Sequence, residues 1–214
     1  MRDRKDMLKL LRQMKKWKLA SLSLIILVTT FFIYHQFGNS MSRADEAKFL
    51  IGQLNTVLDA AEQYSHDNGS LPPITSDTDT KFGYLNINHL IENPGISTWQ
   101  GPYLAFDDTW IGGDQYIDHP DYIATQLLLK EKGSQWVRGS SETGCNASSP
   151  VCSLAACIWL VPTKVARDIN QIVDGDTSIE SSDATGKIRY DNTFGGALVC
   201  MIGDDYPMPS TQPN

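Results

Sequence analysis

The residues of this 214-residue chain whose types could do chemistry are four cysteines, a run of loop carboxylates, a histidine between aspartates and a set of aromatics. Cys145, Cys152, Cys157 and Cys200 are even in number, which in an oxidising compartment points to two disulfides. Their spacing fits no zinc pattern: there is no C-x-x-C, and no histidine follows His119. Three connectivities are open. The preferred one joins Cys145 to Cys152 as a local clamp on a Gly/Ser-rich loop and Cys157 to Cys200 as a link between strands. Asp174, Asp176, Glu180 and Asp183 could offer oxygen ligands to calcium, although their spacing is not that of an EF-hand. Loop carboxylates are more often solvated, so no cofactor is expected and calcium is the one candidate.

His119, flanked by Asp118 and Asp121, has the types for acid–base work, and Asp107-Asp108 has those of a carboxylate pair. Neither accompanies a nucleophile pattern. There is no phosphate-binding glycine loop, no G-x-S-x-G and no H-E-x-x-H. His119 is therefore expected on the solvated surface and Asp107-Asp108 in a turn. No catalytic residue and no small-molecule substrate are assigned. The residues expected to contact a partner are Tyr103, Phe106, Trp110 and Trp136.

The elements that must position these groups begin at the N-terminus. Residues 1–18 carry eight Lys or Arg against Asp3 and Asp6, a net charge of +6. Removing that from the whole-chain −7 leaves about −13 on residues 19–214, the wrong sign for a nucleic-acid partner. Leu19–Phe37 (LASLSLIILVTTFFIYHQF) holds no Asp, Glu, Lys or Arg. At about 1.5 Å per residue its length as a helix is about 28 Å, close to the thickness of a bilayer core. The basic flank sets the orientation, N-terminus in the cytoplasm and the rest outside, in the bacterial inner membrane. Ser40-Met41-Ser42 offers small residues to signal peptidase without the preferred Ala-x-Ala, so the run is expected to stay as an anchor. Met7, Leu10, Leu11, Met14 and Trp17 recur at helical spacing, equally consistent with an amphipathic helix on the cytoplasmic leaflet and with a plain topology signal.

Residues 38–214 are expected to form one periplasmic domain. Ser42–His66 reads as a helix, the spine of the domain over residues 42–67. Ala47, Leu50, Leu54, Val57, Leu58, Ala61 and Tyr64 fall on one stripe, and Asp67-Asn68-Gly69 and Pro72-Pro73 supply a stop. Residues 74–150 are loop-rich, with helices expected at Asn86–Glu92 and at Asp121–Lys132, the latter with Ile123, Leu127 and Leu128 inward. Residues 157–202 read as β-α-β-β: a strand at Cys157–Val161, a helix at Thr163–Val173 ended by Asp174-Gly175-Asp176, and strands at Lys187–Tyr190 and Ala197–Ile202. Residues 206–214 read as a tail or an edge strap. The fold class expected is α+β: one long N-terminal helix, membrane span plus amphipathic half, packed on a small antiparallel sheet.

The order of basic segment, apolar helix, amphipathic helix with a Gly/Pro stop and antiparallel sheet resembles the type IV pilins and the pseudopilins of type II secretion. Ala61–Pro73 (AEQYSHDNGSLPP) is similar to the segment that ends the long pilin helix. Trp99-Gln100-Gly101-Pro102-Tyr103-Leu104 resembles the Trp-Gly-x-Pro-Tyr-Leu segment of major pseudopilins. Asp174-Gly175-Asp176 with Gly186–Arg189 is a weaker likeness. The resemblance covers about half the chain and implies a pilin-like fold and assembly through the membrane helix with other pilin-like or secretion-system subunits.

Two departures stand beside it. The glutamate that follows the processing site in prepilins is missing, Ile25 standing in its place, and Ala20 is the one small residue where cleavage could fall. The calcium segment of major pseudopilins is also missing. Two functions are therefore carried forward: a pilin-like or pseudopilin-like assembly subunit, and an uncleaved membrane-tethered periplasmic binding or adaptor domain. Neither is an enzyme.

Overall fold

Helix α1 (Arg43–Asn68) forms where local signals agree. Asp45 and Glu46 lie in its first turn and His66 in its last, each suited to the helix dipole. Its stripe is buried as expected: Ala47, Leu50, Leu54, Val57, Leu58, Ala61 and Tyr64, joined by Ala60. Gly69, at φ +77°, donates its N–H to the Ser65 carbonyl and closes the helix ahead of Pro72-Pro73. In this computed structural model the residues described are 41–75, 80–108, 113–135, 142–146, 149–176, 186–193 and 195–207.

The expected fold class is corrected here. Among the described residues there are two α-helices, α1 and α2 (Thr163–Asp174), beside a four-stranded antiparallel sheet, and neither is a long helix with an apolar N-terminal half. Among the described residues no helix is long and apolar enough to cross a membrane. Helix α1 starts at Arg43, just after Asn39, Ser40 and Ser42, residue types that start helices in preference to continuing them. Leu19–Phe37, the basic segment and Ala20 lie outside the described residues.

The strands are β1 (Thr125–Glu131), β2 (Val151–Val161), β3 (Ile188–Thr193) and β4 (Gly196–Pro207), in the order β1-β2-β4-β3. The expected β-α-β-β order is present as β2-α2-β3-β4, but β2 begins at Val151, not Cys157, and β4 runs on to Pro207. Of the expected C-terminal strap, residues 208–214 lie outside the described residues. Helix α2 ends at Gly175, in the left-handed region at φ +73°, as the Asp-Gly-Asp turn predicts. Asn86–Glu92 contains a short 3-10 turn at Ile87–Leu90.

The helix expected over Asp121–Lys132 is a second correction, because residues 125–131 form β1. Leu127, Leu128 and Leu129 are all buried. Leu127 and Leu129 join the core beneath α1 and α2, while Leu128 joins a smaller cluster with Tyr84, Ala155, Cys157, Leu198 and Cys200. A strand covered on both faces shows no alternation, so its period does not separate it from a buried helix. Ile123, expected inward, is exposed.

Both preferred disulfides are present. Cys145 bonds Cys152 and Cys157 bonds Cys200, a directly opposed pair of β2 and β4, and no cysteine is free. On the chain-entropy account, closing the 43-residue separation stabilises by about 4 kcal/mol and closing the 7-residue one by about 2. The clamp also fixes residues 143–145 along the outer edge of β1. Glu131 N–H donates to Thr143 O, and Cys145 N–H to Leu129 O. Residues 83–85 occupy the adjoining stretch, with Leu129 N–H donating to Gly83 O and Leu85 N–H to Leu127 O. The edge is thereby closed to stray pairing.

Gly83 is the tightest point of that closure. It sits at φ +68°, and a Cβ there would lie 2.1 Å from the Leu129 carbonyl oxygen and 2.9 Å from Gly144 Cα. Gly83→Ala is expected to lower stability by about 3 kcal/mol through strain and backbone clash together, read as a reduced urea midpoint in equilibrium unfolding.

Candidate functional site

The Trp99–Leu104 loop lies against the C-terminal end of α1. The Gly101–Pro102 peptide is cis, and the turn presents Tyr103 to the helix. Tyr103 Oη donates to Asp67 Oδ2 at 3.1 Å and accepts from Gln100 N at 3.0 Å and Asn68 Nδ2 at 3.3 Å. Its ring meets Tyr64 and Trp99 edge-on, each at 5.6 Å between centroids. Trp99 Nε1 donates to the His89 carbonyl, Tyr64 Oη bonds His89 Nδ1 at 3.1 Å, and Thr98 Oγ1 donates to Asn68 Oδ1 at 2.8 Å. Hydrogen bonds from His66, Gln63 and Tyr103 hold the Asp67 carboxyl below the usual range, while burial lowers the His89 imidazole.

Beside this clasp runs an open groove of about 540 Å³ along the outer side of α1, with Asp59, Ala60 and Gln63 on one side and Gln100, Pro102 and Tyr103 on the other. Near it, Glu62 and Asp204 hydrogen-bond to one another, and that bond raises the Glu62 pKa. The pairing joins α1 to β4, and no sequence signal pointed to it, because the two carboxyls meet only through tertiary packing.

The residues expected to contact a partner separate. Tyr103 is half-buried and its hydroxyl is engaged, so it acts inside the clasp. Phe106 is half-buried against His119, at 5.8 Å between ring centroids, in a different aromatic group. Trp110 and Trp136 lie outside the described residues.

His119 is corrected from solvated surface to buried, at 5% exposure. Its Nδ1 accepts from the N–H groups of Asp121 and Tyr122, at 3.1 and 3.2 Å, which places the ring proton on Nε2. Burial lowers its pKa against the opposing effect of Asp121. Tyr122 packs on the ring and donates its hydroxyl to Glu46 of α1, so this histidine organises a turn. Asp107-Asp108 is corrected as well. Asp108 bridges Ile117, and Asp107 O accepts from Asp118 N–H, an extended pairing in place of a turn.

Of the calcium candidates, Glu180 and Asp183 lie outside the described residues. Asp174 is a structural clasp. Its two carboxylate oxygens accept from the N–H groups of Lys187 and Ile188, at 2.8 and 2.7 Å, tying the end of α2 to the start of β3. Asp176 accepts from Asn170 Nδ2 through its backbone carbonyl. Among the described residues no group of three or more His, Cys, Asp or Glu is placed to hold a metal.

Lys130 is a feature that sequence reasoning missed, because it falls within the segment read as a helix. It is 1% exposed on β1, opposite Ser153 of β2. Desolvation lowers its pKa to about 8. Ser153 Oγ in turn donates to Asp205, which also takes the ammonium of Lys132.

With this geometry in view, comparison of the chain with protein-family models, with curated proteins and with solved structures finds no match.

Two substitutions separate the roles of these groups. Tyr103→Phe removes one donated and two accepted hydrogen bonds at once, with an expected cost of about 1 kcal/mol. It should also return the Asp67 pKa part of the way toward the ordinary value, followed by NMR titration. The Asp67 contribution is complete above the ordinary carboxylate range and is lost as pH falls through the depressed value. For Lys130 the sign is opposite. Its folded pKa lies below the unfolded one, so the unfolded chain binds more protons between about pH 8 and 10, and stability should rise by about 2 kcal/mol across that interval. Lys130→Met is expected to abolish the rise, measured by denaturant unfolding at each pH.

Proposed function

We propose that this chain is a single-pass inner-membrane protein, N-terminus in the cytoplasm, whose periplasmic head works by binding, as an uncleaved tethered adaptor and not as an enzyme. The observation that carries the reading is the pair of disulfides, with no cysteine left free, in a chain that also holds a basic segment followed by nineteen residues without Asp, Glu, Lys or Arg. Disulfides persist in oxidising compartments, and the basic flank directs everything after Phe37 to that side. The missing acidic residue in Leu19–Phe37 favours a tether over a polymerising subunit. A buried charge that would pair with a neighbour's new amino terminus has no counterpart here.

A second reading is kept for one observation. The Trp99–Leu104 segment, which resembles that of major pseudopilins, is the loop that closes the end of α1. On that reading the chain joins a type IV pilus or type II secretion machine as a pilin-related assembly subunit, losing about twenty residues by cleavage near Ala20.

The intact mass of the protein purified from membranes decides between the two. The adaptor reading expects an unprocessed start and retention in the membrane after alkaline carbonate extraction. A mass short by about twenty residues supports the subunit reading, and release into the soluble fraction removes both.

A further inference from the structure

Among the described residues four large apolar side chains are exposed: Met41 at 54%, Phe49 at 37%, Ile123 at 37% and Ile172 at 48%. They come from distant parts of the sequence. One of them lies in the first two turns of α1, and chain neighbours of two others contact those turns. Phe49 is on α1 itself, three residues beyond Glu46 and so on the same side of the helix. Ile123 follows Tyr122, whose hydroxyl donates to Glu46. Ile172 lies one turn beyond Asp168 on α2, and Asp168 pairs with Arg43, the first residue of α1. Met41 precedes that residue by two positions.

The other end of α1, about 39 Å away along a 26-residue helix, carries no exposed large apolar side chain among the described residues. It ends in the polar clasp of Asp67, Asn68, Thr98 and Tyr103.

We infer that the start of α1 and the segments its contacts bring there dock onto the lipid bilayer, with the exposed Phe49, Ile123 and Ile172 entering the interfacial layer. The inference rests on the tethered reading. Six positions separate Phe37, where the uncharged run ends, from Arg43, a reach of at most about 20 Å even fully extended. A tether that short keeps lipid within reach of this end of α1. Charge selects the kind of lipid. The head is strongly acidic, and at this end of α1 Asp45, Glu46 and Asp168 outnumber Arg43 and Lys48, so the surface suits zwitterionic headgroups better than anionic ones. Apolar side chains held among polar neighbours at a lipid boundary bury into the headgroup and upper acyl region without crossing it.

The test uses the full chain in phosphatidylcholine vesicles with its disulfides oxidised, so that an introduced cysteine is the sole thiol for a nitroxide label. Lys48→Cys and Gln171→Cys place labels beside Phe49 and Ile172 and leave the apolar residues native. Ser97→Cys reports on the clasp end, and Ser23→Cys on the tether. The quantity read is collision with oxygen, which enters lipid, relative to a water-soluble nickel chelate. The expected result is a several-fold higher ratio at positions 48 and 171 than at 97, falling to the level of 97 in the triple variant Phe49→Ser, Ile123→Ser, Ile172→Ser. If labels at 48 and 171 match 97 while the label at 23 is shielded in lipid, the docking inference is overturned and the tether stands. If the label at 23 is also open to nickel, the tethered reading fails and docking fails with it.

Discussion

Burial of one stripe of α1 is the constraint on which the rest of the structure depends. Ala47, Leu50, Leu54, Val57, Ala61 and Tyr64 are at most 2% exposed, and each large apolar side chain so buried is worth about 1.5–3 kcal/mol. The core they join is lined by all four strands, through residues such as Leu129, Leu154, Ile158, Ile188 and Val199, with β2 and β4 packed directly against α1. Small residues set the distance. A Cβ on Gly203 of β4 would lie 2.8 Å from Leu58 Cδ2, so a larger residue there would have to displace the Leu58 side chain. Helix α2 completes the same core with Val165, Ala166 and Ile169, which is why the acidic turn after it must be tied back to β3 by Asp174.

With that packing fixed, the other cross-links act as local stays. The Cys157–Cys200 bond spans two strands already in register, and its contribution comes mainly from restricting the unfolded chain. The Cys145–Cys152 bond holds a loop that, without it, would leave the outer edge of β1 open. The aromatic clasp performs the same service at the end of α1, where a helix terminus otherwise leaves unpaired carbonyls. Asn68 Nδ2 takes the Tyr64 carbonyl and Gly69 N–H takes that of Ser65.

How much of this was legible depends on whether the signal was local. Helix α1 was, because its stripe, its acidic first turn and its Asp-Asn-Gly stop all lie within one stretch. Helix α2 and its glycine stop were legible for the same reason. Strand β1 was not: three consecutive leucines buried on both faces carry no period, and the strand exists only because residues 151–161 lie beside it. The early part of β2 was missed because Ser153, Ala155 and Ala156 are weak strand signals. At the candidate site the Trp99–Leu104 loop stood out as a segment, but the use of Tyr103 did not. Its hydroxyl finds Asp67 and Asn68 only after the helix has ended where it does. His119 looked solvated among aspartates, yet two backbone N–H groups of the following turn occupy its Nδ1, and that turn draws it inward.

The two ends of α1 differ in how firmly they present their surfaces. At the clasp end the polar groups are largely satisfied by one another, which leaves the groove beside Asp59 and Pro102 as the open feature there. At the other end the fold leaves Phe49, Ile123 and Ile172 outside the core, forgoing the burial each could have contributed. Their supports are nevertheless well defined: Tyr122 is bonded to Glu46, and Arg43 to Asp168. A surface held in this way loses little conformational entropy when covered, so even a modest apolar area can bind usefully. On the tethered reading proposed above, the local concentration of the bilayer would be high, which would reduce further the affinity each side chain must supply.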